Sequence, residues 1–141
     1  NLNHDCWLPI YRFADDRGLT VIAHTGSEPT ASPAHLGEAA ARFPNANFVA
    51  GHSGNTEPYR SQAIAAAQRC TNYYLETCST FRAPGVIEQL VAQAGADRVL
   101  FGSDIPLMDP RPQLGKIITA DIDAEAKRLV LGANARRLLK L

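Results

Sequence analysis

The chain has 141 residues, of which 45% are hydrophobic and 20% charged, a balance that suits one globular domain with its own core. Its 14 basic and 14 acidic residues cancel, which leaves none of the bulk charge expected of a nucleic-acid or acidic-membrane binder. A complete eight-stranded barrel of alternating strands and helices needs roughly 200 residues or more, so length alone excludes it.

The first helix is predicted from Trp7, Ile10, Tyr11 and Ala14, which share one helical face, with Pro9 in the first turn and Gly18 as a left-handed stop. Leu19 to Ala23 follows as a short β-branched apolar run, expected to be a strand buried on both faces and ending at His24. Ser32 and Pro33 form an N-cap and first helical residue ahead of Leu36, Ala39, Ala40 and Phe43. A second strand, Asn47 to Ala50, runs into Gly51-His52-Ser53-Gly54. The alternation continues with a helical stripe from Tyr59 to Cys70 and a strand at Tyr73 to Thr77. A helix closed by Gly95 and a fourth strand at Arg98 to Phe101 come next. A Pro-rich loop (Pro106, Pro110, Pro112) precedes helical pieces at Lys116 to Ala120, Ala124 to Leu131 and Ala133 to Leu139, with Asp123 as the cap of the middle one. Four strand-helix alternations predict parallel strands joined by right-handed crossovers.

No apolar run reaches the roughly 18 to 20 residues of a membrane span, and the first residues lack the pattern of a signal peptide, so a soluble cytoplasmic protein is expected. The one methionine is Met108, so Asn1 is not expected to be a translation start. Cys6, Cys70 and Cys78 are odd in number and lack C-x-x-C spacing; all three read as packing residues in a reducing compartment.

His24, His52, Glu76 and Asp104 fall at successive strand ends, 28, 24 and 28 residues apart, about one strand-helix unit each. In a parallel sheet these ends point the same way. Two of them repeat local chemistry, V-I-A-H-T-G at Val21 and V-A-G-H-S-G at Val49, which places His24 and His52 at equivalent positions. Two imidazoles and the Asp104 carboxylate make an N,N,O set suited to a borderline divalent ion, zinc first, which lowers the pKa of a coordinated water to about 7. The nearby glycines Gly26, Gly51, Gly54 and Gly102 allow close approach, and Ser53 and Ser103 offer supporting hydrogen bonds.

His24-Thr25-Gly26, Gly51-His52-Ser53-Gly54, Gly102-Ser103-Asp104-Ile105-Pro106 and the closing Gly132 to Leu139 segment resemble the later half of the amidohydrolase-related family. These are metal-dependent hydrolases and aromatic-acid decarboxylases on a distorted (β/α)8 TIM barrel. The resemblance implies that residues 1–141 form one partial barrel domain, its C-terminal half of about four strand-helix units. It also implies that His24 binds the metal, that Asp104 binds it and assists proton transfer, and that His52 either completes a second metal site or lies beside the metal as a base, the role preferred here. The family's first strand carries an H-x-H pair, which the four histidines of this chain (His4, His24, His35, His52) do not contain. The chain alone is therefore expected to have little activity, and His4 and His35 read as surface or packing residues.

Glu76 either reaches the site or, as favoured here, sits at the rim or pairs with an arginine. Arg60, Arg82 and Arg111 are candidates for holding a substrate carboxylate, against the favoured reading of solvated rim charge. Thr56, Glu57 and Tyr59 suit a pocket lining or a helix cap equally. The expected activity is hydrolysis of a small molecule at a divalent metal, with decarboxylation of an aromatic acid equally compatible. The competing reading is a non-catalytic half-barrel or open α/β binding module, although no nucleotide-binding glycine motif follows any strand. Four strands leave two open edges and an apolar inner face, which predicts a homo-oligomer.

Overall fold

The computed structural model describes residues 1–79, 81 and 83–141; Arg82 lies outside them. Four strands form one parallel sheet in chain order: β1 (Thr20–His24), β2 (Asn47–Gly51), β3 (Tyr73–Glu76) and β4 (Val99–Leu100). Helices α1 (Leu8–Arg17), α2 (Pro33–Arg42), α3 (Tyr59–Arg69) and α4 (Val86–Ala94) alternate with them, followed by α5 (Pro110–Thr119), α6 (Ala124–Arg128) and α7 (Asn134–Leu139). The punctuation residues act as expected. Gly18 ends α1 at φ 58°, Ser32 accepts from the Ala34 N–H, and Asp123 accepts from the Ala126 N–H.

Period-two alternation splits the sheet into two faces. One carries Phe48, Tyr73, Leu75 and Val99 into the main core against Leu36, Ile64, Leu90 and Ile117. The other buries only Val49, Tyr74 and Leu100, against Ala135 and Leu138 of α7. That limited cover corrects the expectation for the first strand. Ile22 pairs in register with Val49 and shares its face, yet it is 70% exposed because β1 is an edge strand beyond the reach of α7. Helix α1 is half as buried as its stripe implies, with Tyr11 and Ala14 in the core but Trp7 and Ile10 exposed. Cys6 is likewise exposed, not packed, while Cys70 and Cys78 are buried.

The fourth strand is shorter than Arg98 to Phe101. Arg98 belongs to a 3-10 turn, and the Phe101 N–H leaves the ladder to donate to the Val130 carbonyl at 2.8 Å. Asn134 Nδ2 donates to the Val99 carbonyl at 2.8 Å and to that of Ala96 at 2.7 Å. The C-terminal helices thus occupy the outer edge of β4, so the sheet has one open edge, at β1, where two were expected. Further corrections concern the proline-rich stretch and the segment after it. Pro110 and Pro112 lie in the first turn of α5 under an Asp109 cap, and the helical run after Asp123 passes through a π turn, Leu129–Ala133, with non-helical backbone at Gly132.

Candidate metal centre

Register places His24, Gly51, Glu76 and Leu100 in one row across the carboxyl ends of the strands, His24 pairing with Gly51 and Glu76 with Leu100. His52 therefore lies one residue past the row, and the two H-x-G segments are offset in register, not equivalent. In a strictly alternating strand the offset sends the two rings to opposite faces. Left-handed backbone at His52 (φ 68°) and Ser53 (φ 45°) turns the His52 ring back, so that the His24 and His52 ring centroids are 5.0 Å apart, edge to face. Asp104 is also left-handed, at φ 56°. Such conformations cost a non-glycine residue on the order of 1–3 kcal/mol and persist where surrounding contacts hold them.

Those contacts are explicit. Glu76 accepts the His52 N–H at 2.9 Å through one carboxylate oxygen and the Cys78 N–H through the other. Its backbone carbonyl accepts the Ser53 hydroxyl at 2.8 Å. Thr25, fully buried, donates to the Gly51 carbonyl at 2.8 Å and accepts the Gly54 N–H at 3.0 Å. The His52 Nδ1 lies 2.6 Å from the Cys78 carbonyl. A carbonyl only accepts, so Nδ1 carries a proton, and in the neutral tautomer that this selects Nε2 is the nitrogen with the lone pair. Gly102 leaves room for the Glu76 carboxylate, which a Cβ there would strike.

His24, His52, Glu76, Cys78, Gly102 and Asp104 line a cleft of about 300 Å³ together with Ile22, Gly51 and Ser103. One nitrogen of His52, the Cys78 sulfur and one oxygen of Asp104 lie within 4.8 Å of one another. His24 borders this trio without joining it; its ring is more than half exposed, with Nε2 3.5 Å from the Glu28 carboxylate. An exposed pair of that kind contributes little and yields readily to a stronger ligand. Imidazole, carboxylate and thiol donors in one cleft fit a borderline divalent ion.

The structure revises several expected roles. Glu76 is neither at the rim nor paired with an arginine among the described residues. It is 14% exposed at the cleft floor, where burial holds its carboxyl above the usual carboxylate range despite the two N–H donors. Arg60 is buried and structural, bonded to Gln89, Asn55 and Glu57, whereas Arg111 is an exposed rim charge on Asp109. Glu57 acts as a cap, accepting both the N–H and the hydroxyl of Ser61.

Two participants had been missed. Cys78 stands two residues beyond Glu76, and strand alternation puts the two on the same face, a signal present in the sequence. Lys116 had no local signal. It reaches from α5 to donate to the Thr77 carbonyl at 3.0 Å and the Ser79 carbonyl at 2.7 Å, fixing the turn that carries Cys78. Burial pulls its pKa below the ordinary lysine value.

A half-sheet of parallel strand-helix units, with metal-type donors gathered at the carboxyl ends, is the architecture of half of an α/β barrel. The chain belongs to the amidohydrolase family, whose model matches residues 2–141. A gamma-resorcylate decarboxylase from Rhizobium radiobacter is 32% identical over 117 residues, covering 70% of this chain and 35% of that protein. An uncharacterised TIM-barrel protein from Bordetella bronchiseptica superposes with a TM-score of 0.84 at 28% identity, over 99% of this chain and 52% of its own. A dihydroxybenzoic acid decarboxylase from Polaromonas, solved with manganese and 2-nitroresorcinol, shares the fold at a TM-score of 0.73 and 17% identity, over 99% and 55% of the two chains. The chain thus spans about half the length of these solved relatives and about a third of the curated one, and its fold is that of a half barrel.

Proposed function

We propose that this chain supplies the late-strand part of a metal-dependent active site that acts on a small hydroxylated aromatic acid and removes its carboxylate. The observation that carries the reading is the convergence of His24, His52 and Asp104 on one cleft despite their register offset. The relative at 32% identity supports decarboxylation over the hydrolysis expected from the family name. His24, His52 and Asp104 would hold the ion, zinc first among candidates, and the ion when bound would supply fixed positive charge for substrate oxygens. Asp104 and His52 are the groups placed to move a proton. In decarboxylation the bond between ring carbon and carboxylate breaks, carbon dioxide leaves, and the electron pair left on the ring carbon takes that proton.

The test is a titration of the chain with Zn²⁺ or Mn²⁺ followed by histidine NMR. The His24 and His52 signals are expected to shift while those of His4 and His35 stay, and His24→Ala or Asp104→Ala should weaken binding at least about tenfold. Shifts confined to His4 and His35 would overturn the site. Ester or lactone hydrolysis without carbon dioxide release from a dihydroxybenzoate would return the reading to a hydrolase.

The open β1 edge, exposed Ile22 and the exposed Trp7, Ile10 and Phe13 of the adjacent α1 region support self-association along that side. Sedimentation equilibrium is expected to give a dimer or larger; a monodisperse monomer at high concentration contradicts it. No helix among the described residues is long and apolar enough to cross a membrane.

A further inference from the structure

Resting on the metal reading above, we propose that the Cys78 thiolate is itself a ligand, so that this site selects a thiophilic ion. The argument begins with the backbone. The Cys78 N–H is held by Glu76 and its carbonyl by His52, and the carbonyls on either side, of Thr77 and Ser79, are held by Lys116. The Ser79 hydroxyl is in turn bonded to the Asn55 side chain. With the main chain fixed on every side, the freedom left to Cys78 is rotation of its sulfur about the Cα–Cβ bond.

That sulfur is buried, at 1% residue exposure, and its one hydrogen-bond partner among the described residues is the Met108 sulfur, 3.7 Å away. A thioether is a weak acceptor, so no strong hydrogen bond opposes rotation. In a tetrahedral site with metal–donor distances of about 2.0–2.3 Å, donors stand roughly 3.5 Å apart. The sulfur, the His52 nitrogen and the Asp104 oxygen already lie within 4.8 Å of one another, so closing on an ion takes about an ångström of side-chain movement. Charge agrees as well. One thiolate and one carboxylate balance the charge of a divalent ion.

On binding, the S–H bond breaks, its proton passes to solvent, and a sulfur–metal bond forms with no change of oxidation state. A thiolate ligand favours zinc or cobalt over manganese.

Cobalt(II) added to the reduced chain under anaerobic conditions tests this. The expected result is stoichiometric binding with a near-ultraviolet sulfur-to-cobalt charge-transfer band, retained by a Cys6→Ser, Cys70→Ala double variant and lost in Cys78→Ser. Zn²⁺ affinity in Cys78→Ser should fall at least about tenfold while Mn²⁺ affinity changes less than about twofold. The double variant, whose one thiol is Cys78, keeps the test decisive if Cys78→Ser does not fold. Visible cobalt bands without charge transfer would overturn the thiolate ligand and leave the metal reading standing. A charge-transfer band that survives in Cys78→Ser also overturns it. Absence of cobalt binding by the folded chain would overturn both.

Discussion

Gly54→Ala is expected to destabilise the chain by about 2–5 kcal/mol, out of proportion to the addition of one methyl group. Gly54 has φ 76°, where a side chain costs roughly 1–2 kcal/mol. A Cβ there meets Tyr59 C at 2.5 Å, Tyr59 O at 2.6 Å and Arg60 N at 2.9 Å. These are main-chain atoms of the first turn of α3, which cannot swing aside as a side chain would, so overpacking adds on the order of 1–3 kcal/mol. The displacement would also pull the Gly54 N–H from Thr25 and disturb the left-handed run at His52, Ser53 and Asn55 that aims the His52 ring. Gly85 provides the control. Its φ is nearly the same, 73°, but a Cβ there has nothing within 4 Å, so Gly85→Ala should cost only the backbone share of about 1–2 kcal/mol. Urea unfolding of both variants with an unchanged m-value is the measurement, and equal costs would contradict the steric argument.

The strand ends were legible because a buried parallel strand is a short apolar run, and each run here stops at a polar or glycine-rich turn. The face that a residue beyond the strand occupies was not. His52 reaches the cleft through positive φ at itself and Ser53, and no hydrophobic pattern encodes a φ value at a non-glycine residue. Repeat chemistry even pointed the wrong way, since aligning Val21 with Val49 misses the true pairing of Ile22 with Val49 by one residue. Cys78 was hidden for another reason. Alternation puts it on the same face as Glu76, but a lone cysteine at an apolar strand end looks the same whether it packs or binds. The covered edge of β4 depends on Asn134, which is 35 residues from the carbonyl of Val99 that it satisfies. Contacts over that separation leave no local trace. Family resemblance supplied what periodicity could not, because G-S-D-x-P and H-S-G preserve the outcome of such contacts in order along the chain.

Replacing Asn72 by leucine, a residue of similar size, is expected to cost about 3 kcal/mol or more, and replacement by aspartate to cost more still. Asn72 sits at the start of β3 and is 9% exposed. Its side-chain nitrogen donates toward three carbonyls at the end of α2 and the turn into β2: Ala40 at 3.1 Å, Phe43 at 3.0 Å and Ala46 at 2.7 Å. Two hydrogens serve three acceptors, so one is shared. Leucine would leave the carbonyls buried without this donor, at roughly 1–3 kcal/mol each, tempered by bonds to other groups. Aspartate has no donor when ionised and would set a negative charge against the same oxygens. A 3 kcal/mol loss in a chain of this size lowers the melting temperature by about 10 °C. Aspartate being milder than leucine, or leucine being neutral, would show that the amide is not the clasp. Position makes the cost functional. The Asn72 carbonyl also accepts the Phe48 N–H at 2.8 Å, beginning the β2–β3 ladder that aligns Phe48 with Tyr73 and Ala50 with Leu75. Continued to the strand ends, that alignment brings Gly51 beside Glu76, so the carboxylate that holds the His52 and Cys78 amides stands where it does because the two strands start in step. Metal affinity in Asn72→Leu should therefore fall together with stability, although Asn72 lies at the opposite end of the strand from every proposed ligand.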